Sequence, residues 1–579
     1  MRVILATLHS KYIHSSLALS CLASYCRKIP KCELIIQEYT VHEPKDNILA
    51  AILAPAPDLV ALSVYIWNRI AILELADVLS VAAPALTIVL GGPEISFEGP
   101  DFFRSHPGIS AIVRGEGEAS FRDILKCLVA GRDPAGTGGI LWNAYPEAIE
   151  GPQRPSLEDL DTIPSPFEAG LVDLSRGFVY LETSRGCPFR CLFCMSALEN
   201  RVRSYSMVRI RRDLDFLMSR RVPKIKLVDR TFNYDPERAR GIFAHILKNN
   251  RASHFHFEIG AGLLDDETIR LLQQVPEHMF QFEIGVQSCS PETLKAVERH
   301  MPLEVVLENI ARLREETRVA LHLDLVAGLP RENYADFLNS LERTAVLRPD
   351  HLQIELVKLL PGSILRKEAR RLGIDHDPHP PYTVLKTREL CFADLNRLRG
   401  LSRVVDMTYN SGNFQGFLDG LEKVRGSFSE ALAKVALYWE EHNLFRHPLQ
   451  RRDVYQNLWL FIRSAFGGEE AALLSELLAR DYARNERVVP GKTPGFFDTH
   501  LTSSQRDAVT TLVRQNTFRV RGQGIKIQYF AAVFRRLPEL VGPTVLVFLY
   551  LTGSGRKMEV KEIFLAEGDG GSRSSTPGN

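Results

Sequence analysis

Short β-rich apolar runs alternate with helix-patterned segments through the first two-thirds of the chain. That alternation restricts the available folds more than any other feature. RVILATL precedes SSLALSCLASYCRKI, CELIIQEYTV precedes PKDNILAAILA, and LVALSVYIW precedes RIAILELADVLSVAA. ALTIVLGG, ISAIVRGEGEAS and FRDILKCLVAG complete this first set. Strands alternating with helices at such spacing build βαβ units and a parallel sheet covered on both faces. Residues 1–145 are therefore expected to form a doubly wound, Rossmann-like α/β domain. GPQRPSLEDLDTIPSPFEAG, rich in proline and acidic residues, reads as a linker, assigned to 146–174. The alternation resumes at FVYLETS and continues through KIKLVD, HFHFEIG, MFQFEIGVQ, VALHLDLVAG and HLQIELVKLL. These repeats predict a partial (β/α) barrel over 175–375, with its ligand site at the carboxyl ends of the strands. From about Arg388 the pattern turns helical, as in SEALAKVALYWEEHNLF and EEAALLSELLARDYARN. TVLVFLYLTG and KMEVKEIFLA predict a terminal β-hairpin around Gly553–Gly555. The region 388–566 is thus expected to be a mainly α-helical C-terminal domain, and 567–579 a disordered tail.

Function classes narrow next. The net charge of +1 carries no global basic signature for nucleic acid. No apolar run is long enough to span a bilayer. MRVILATLHSKYIHSS reads as a first core strand, not a signal peptide, so the expected location is cytoplasmic. In that compartment nine cysteines point to metal or redox chemistry over disulfides. Cys21, Cys26 and Cys127 fall in helical runs and read as small buried residues. Cys187, Cys191 and Cys194 are different. They lie in TSRGCPFRCLFCMSA, spaced C-x3-C-x2-C, directly after the first barrel strand. A structural zinc site normally draws on a second cysteine pair. Three thiolates on one loop suit an iron–sulfur cluster better, since cysteine thiolates are its usual ligands. On a [4Fe-4S] cube they would leave one iron open.

This run, placed after the first strand of a partial barrel, resembles the radical S-adenosylmethionine (SAM) superfamily, and the resemblance extends over about Phe178 to Arg370. It implies that the open iron chelates SAM. One-electron cleavage of SAM then gives a 5′-deoxyadenosyl radical that abstracts hydrogen from a substrate. Phe193 is the implied adenine contact. Asp229, Glu258, Glu283, Gln287 and Asp324, at successive strand ends, are the implied SAM contacts. DRTFN stands where the family usually has a glycine-rich segment.

The order of domains resembles that of cobalamin-dependent radical SAM enzymes. HSKYIHSS, VALSVYIWN, IVLGGPEIS and IVRGEGEASF look like the loops that family lays against the corrin. The implied cobalamin contacts are Ser10, Tyr12, Ser63, Trp67, Gly91, Gly92, Glu94, Gly115 and Glu116. The D-x-H-x-x-G motif that supplies a histidine to cobalt in other cobalamin proteins is missing. The implied activity is SAM cleavage, with cobalamin-assisted methylation or rearrangement of an unidentified small-molecule or peptide substrate. A flavodoxin or ferredoxin would be the one-electron reductant. Two alternatives remain. One is a methylthiotransferase-like enzyme with a second cluster on Cys21, Cys26 and Cys32. The other is a cobalamin or iron–sulfur sensor.

Overall fold

The computed structural model describes residues 1–144, 146–199, 201–489, 491–519, 525–553, 558–565 and 573–575. The chain divides into two compact units. The larger is built from Met1–Ser340, Leu347–Asp350 and Glu355–Leu395, and the other chiefly from Asn396 onward.

The larger unit opens with β1 (Arg2–His9), β2 (Glu33–Thr40), β3 (Leu59–Ser63), β4 (Thr87–Gly91) and β5 (Ala111–Val113), parallel in the order β2-β1-β3-β4-β5. Alternate residues of these strands feed two separate cores. Val3, Leu5, Leu59, Ala61 and Val89 pack with helices Leu17–Cys26 and Gly117–Val129. Ile4, Ala6, Val60, Leu62 and Ile88 pack with helices Lys45–Leu53 and Arg69–Ala82. A strand buried on both faces must be apolar throughout, which explains the unbroken runs in the sequence. Two short antiparallel strands, β6 (Ile140–Trp142) and β7 (Ile149–Glu150), extend the sheet. The segment assigned as linker from residue 146 therefore begins inside the sheet, because Ile149 and Glu150 pair with Trp142 and Leu141.

The second sheet starts at β8 (Val179–Leu181). A short antiparallel pair follows, β9 (Ser184–Arg185) and β10 (Arg203–Ser204). Then come β11 (Lys224–Leu227), β12 (His254–Ile259), β13 (Phe280–Gln287), β14 (Ala320–Ala327) and β15 (His351–Leu356). The order is β15-β14-β13-β12-β11-β8, with the two end strands left as edges, so the barrel is partial. Strand periodicity sorts its two faces. On β12 and β13, Phe255, Phe257, Phe280 and Phe282 point outward and are fully buried. Phe243 of helix Pro236–Asn249 meets Phe257, Phe280 and Phe282 with ring centroids 5.1, 5.4 and 5.6 Å apart. Burying each such ring contributes about 1.5–3 kcal/mol. The intervening residues His256, Glu258 and Glu283, with His322 and Asp324 of β14, face the barrel interior. A short pair, β16 (Asp375–His376) and β17 (Val384–Lys386), follows.

The other unit contains helices Gln415–Arg425, Phe428–Glu441, Arg451–Ala465 and Gly468–Asn485. Trp439 and Phe461 are in its core and Trp459 is half-buried. The expected hairpin is part of a four-stranded antiparallel sheet, β18 (Ile525–Phe534), β19 (Thr544–Gly553), β20 (Glu559–Leu565) and β21 (Arg573–Ser575). Its turn lies outside the described residues, as does the tail apart from β21. That strand pairs with β20 where a disordered tail was expected.

Asp481 joins two of these helices. Its carboxylate accepts the backbone N–H groups of Gly416 and Phe417 at 3.2 and 2.8 Å, at the start of helix Gln415–Arg425. Burial pushes its pKa up to about 7 in spite of these bonds. The folded chain then holds this proton more tightly than the unfolded one. The stabilisation is complete below the ordinary aspartate range and is lost as pH rises through about 7. Asp481→Asn, which does not titrate, is expected to flatten the fall in unfolding free energy with pH, by about 1.4 kcal/mol for each pH unit between the ordinary aspartate range and about 7, as read by denaturant unfolding. A wild-type slope in the variant would contradict this assignment.

Candidate functional site

The cysteine loop is held from three sides. The β9–β10 pair closes its base, and Gly186 there has φ +90°. A Cβ at Gly186 would fall 2.3 Å from the Arg201 carbonyl oxygen, so the glycine before Cys187 is required. Behind the loop, Asp229 is fully buried and accepts from Thr183 N at 3.1 Å, Thr183 Oγ1 at 2.6 Å and Ser184 Oγ, with Arg238 3.6 Å away. Asp229 was expected to contact SAM. The structure instead commits its carboxylate to the strand that launches the cysteines. Within the loop, Cys194 N donates to the Cys191 carbonyl at 3.0 Å, and Phe193 is half-buried at that turn.

Cys187, Cys191 and Cys194 are free thiols. Cys187 Sγ lies 3.3 Å from Thr231 Oγ1, and Cys191 Sγ accepts from Arg299 Nη1 at 3.5 Å. Among the described residues no three His, Cys, Asp or Glu side chains converge as ligands of one metal ion would. Three free thiols on one glycine-anchored loop at a strand end fit the donor set of a cluster. Cys21 and Cys26, by contrast, are buried in the first domain. Burial pushes both thiols up, Cys26 to about 12, which suits packing and not ligation. Cys127 is only half-buried.

Arg185, two residues before Cys187, sits in a carboxylate cage. It lies 3.2 Å from Glu116, 2.7 Å from Glu118 and 3.0 Å from Glu182. Burial alone would weaken its charge, but Glu182 and Glu118 hold its pKa well above the ordinary value. Glu116 also receives Arg203 at 2.7 Å and Leu157 N at 2.8 Å. The two glutamates of RGEGEAS thus clamp the first domain onto the cysteine loop. Sequence reasoning nominated Glu116 as a cofactor contact and missed Glu118, Arg185 and Arg203. The adjacent SRGC was the available signal.

Above the clamp a cleft of about 920 Å³ opens between the carboxyl ends of both sheets. Of the nominated cobalamin contacts, Ser63, Gly91, Gly92, Gly115 and Glu116 line it. Gly186 and Met195, which flank Cys187 and Cys194, line it too. Gly92 has φ +112°, and a Cβ there would fall 2.5 Å from the Val64 carbonyl oxygen. Leu17, Leu22, Val89, Val113 and Phe121 form an apolar inner wall. No histidine appears among the described residues that line the cleft, in keeping with the missing D-x-H-x-x-G.

Four nominated residues lie elsewhere. Glu94 is buried, 3.5 Å from Arg69, and accepts the Tyr382 hydroxyl, so it ties the first sheet to the β16–β17 segment instead of facing the cleft. Tyr12, with Arg176 over its ring, and Trp67, stacked on Tyr65 at 4.5 Å, are exposed, while Ser10 is half-buried. None of these four lines the cleft. His9 and His14 join a polar network. His9 pairs with Glu38 at 3.1 Å and His14 with the Tyr180 hydroxyl at 3.0 Å.

In the barrel, three nominated carboxylates come together on adjacent strands. Glu283 sits 2.8 Å from His256 and 3.6 Å from Lys226. Burial opposes its charge, but the His256 hydrogen bond and the Lys226 charge bring its pKa down to about 2. Glu258 lies opposite Glu283 in register, and burial pushes its pKa up to about 7 in spite of Arg230. Asp324 faces His322 at 3.2 Å, and burial raises its pKa. Neighbouring carboxylates with opposite shifts can hold different charges at one pH. Gln287 ends β13 at φ +72°, with its Oε1 buried and without a partner.

Comparison with known proteins matches residues 2–125 to a family model described as the B12 binding domain, and residues 181–344 to the Radical SAM superfamily. The chain joins a B12 binding domain to a radical SAM domain. Those domains imply a [4Fe-4S] cluster, SAM and cobalamin as cofactors. Residues 371–526 match a family described only as a protein of unknown function, DUF4080. An uncharacterized methyltransferase of Pyrococcus horikoshii is 26% identical over 48% of this chain and 62% of its own length. The cobalamin-dependent radical SAM methyltransferase TokK of Streptomyces tokunonensis is 25% identical over 48% of this chain and 44% of its own. The chain therefore spans less than two-thirds of the curated relatives it matches. The fold is similar to that of OxsB, a cobalamin-dependent SAM radical enzyme solved with aqua-cobalamin and SAM. The TM-score is 0.59 at 16% identity, covering 90% of this chain and 81% of OxsB. Among the described residues no helix is long and apolar enough to cross a membrane.

Proposed function

We propose that this chain is a cobalamin-dependent radical SAM enzyme of the methyltransferase kind, with Cys187, Cys191 and Cys194 as the protein ligands of its cluster. The carrying observation is the cleft of about 920 Å³, walled on one side by Gly91, Gly92 and Gly115 and on the other by the neighbours of Cys187 and Cys194. When bound, the cluster and SAM supply one-electron radical initiation and cobalamin supplies a transferable methyl group; such hard chemistry belongs to cofactors.

The chain's own residues do the rest. Gly115 leaves open space at the cleft wall, Gly92 packs its backbone against the Val64 carbonyl, and the apolar inner wall accepts the uncharged parts of a large ligand. The Arg185 cage holds the cysteine loop against the first domain. Glu283, kept ionised by His256 and Lys226, is suited to a cationic group, while Glu258 retains a proton near neutrality and can donate it in a hydrogen bond. The polar interior beside them is the proposed substrate chamber, for a small molecule or peptide, with a flavodoxin- or ferredoxin-like reductant. The pairing with cobalamin-dependent methyltransferases among the relatives favours methyl transfer over rearrangement.

Anaerobically reconstituted protein, supplied with cobalamin, a strong reductant and SAM carrying a labelled methyl group, tests this reading against extracts of small metabolites and peptides. Label is expected in a product, together with 5′-deoxyadenosine. A labelled-methyl product that never appears while 5′-deoxyadenosine accumulates would turn the reading to rearrangement.

A further inference from the structure

Arg299 follows helix Pro291–Ala296 and is half-buried. One nitrogen, Nη1, donates to Cys191 Sγ at 3.5 Å, and the other, Nη2, donates to the Gly285 carbonyl. Backbone pairing fixes its approach, since Leu192 N donates to the Val297 carbonyl at 3.0 Å. Gly285 opens an irregularity in β13, where the register with β14 slips between Gly285 and Gln287. A Cβ on Gly285 would fall 2.0 Å from Gln287 Nε2, so the Gln287 side chain folds back over the glycine. Its positive φ and unpartnered buried Oε1 mark a strained, ligand-ready residue. One guanidinium thus grips both the central cysteine and the strand end that carries Gln287.

The structure assigns Arg299 a positioning role. We propose that it tunes the reduction potential of the cluster through Cys191 and locks that cysteine to the β13 bulge. This rests on the cluster reading above. A cluster gains negative charge on reduction. A cation donating a hydrogen bond to a ligand sulfur therefore favours the reduced form, and such bonds help set cluster potentials.

The test uses the full chain, reconstituted anaerobically, as wild type, Arg299→Met and Arg299→Lys. Iron content is measured first, and the reduced cluster is then followed by electron paramagnetic resonance through a redox titration. At the potential that half-reduces the wild type, Arg299→Met is expected to show a reduced-to-oxidised ratio lower by about tenfold, equal to 59 mV for a one-electron couple. Arg299→Lys, which keeps the charge on a single donor, is expected to fall between the two. Arg299→Met with full iron and a wild-type potential overturns the inference. Where Arg299→Met fails to load iron, a loaded Arg299→Lys with an unshifted potential overturns it instead. A wild-type chain that takes up no iron overturns the cluster reading itself, and this inference with it.

Discussion

Cys187→Ala is expected to lower iron from about four per chain to near zero after reconstitution, and to suppress 5′-deoxyadenosine formation by roughly a hundredfold or more. The reasoning is local. Cys187 begins the loop immediately after Gly186, whose φ of +90° and close approach to the Arg201 carbonyl fix where the thiolate is presented. Among the described residues, Thr231 Oγ1 lies 3.3 Å from its sulfur, and a hydroxyl is a poor substitute ligand for iron–sulfur chemistry. The fold should survive, because Cys187 is half-buried and belongs to neither core of the first domain. Circular dichroism and melting temperature near wild type, beside lost iron, separate ligation from folding. Full iron content in Cys187→Ala would contradict the ligand assignment. The same loss is expected for Cys191→Ala and Cys194→Ala.

The second large effect concerns Arg185. Arg185→Met removes the cation from a cage of three partly or fully buried carboxylates, Glu116, Glu118 and Glu182. Breaking a buried ion pair by deleting one partner costs about 3–5 kcal/mol, because the remaining charge stays desolvated. Arg203 compensates Glu116 alone, at 2.7 Å, so Glu118 and Glu182 carry most of the penalty. Arg185→Lys keeps the charge but cannot fork between three carboxylates, and should fall between wild type and Arg185→Met. Thermal and denaturant unfolding followed by a probe in the larger unit measure the effect. A loss below about 1 kcal/mol, typical of an exposed pair, would show that the cage is not a structural clamp.

The sheets were legible in the sequence because their signal is local. LVALS and TIVLG are short and almost wholly apolar, and both are buried on two faces. The cysteine run stood out because its three thiols are close together in the chain. Side chains whose partners lie far away were not. Glu94 stands in a loop that looks like a ligand contact, yet it meets Tyr382, 288 positions later. Arg299 reaches Cys191, 108 positions earlier, and nothing around ERHM announces it. Asp229 sits at a strand end, where a carboxylate usually faces a ligand or solvent. Only the fold shows Thr183 and Ser184 closing over it. Helix Ser503–Arg519 escaped notice because its apolar residues are thinly spread, whereas helix Phe392–Met407, with Leu395, Leu398, Leu401 and Val405 buried at helical spacing, did carry the signal. Strand β18 was overlooked for a related reason, since its first half is largely exposed.

The sorting of β12 and β13 into an aromatic outer layer and a polar inner layer divides labour along a single peptide. Each phenylalanine is separated from the next by a residue whose side chain lies on the opposite face of the strand. Exchanging an inward residue such as Gln281 therefore opens no void in the aromatic layer, whereas His256 and Glu283 are bound to each other at 2.8 Å. A frame of this kind is tolerant of novelty. The proposed chamber can be altered by point substitutions on one face while the aromatic scaffold on the other holds its shape.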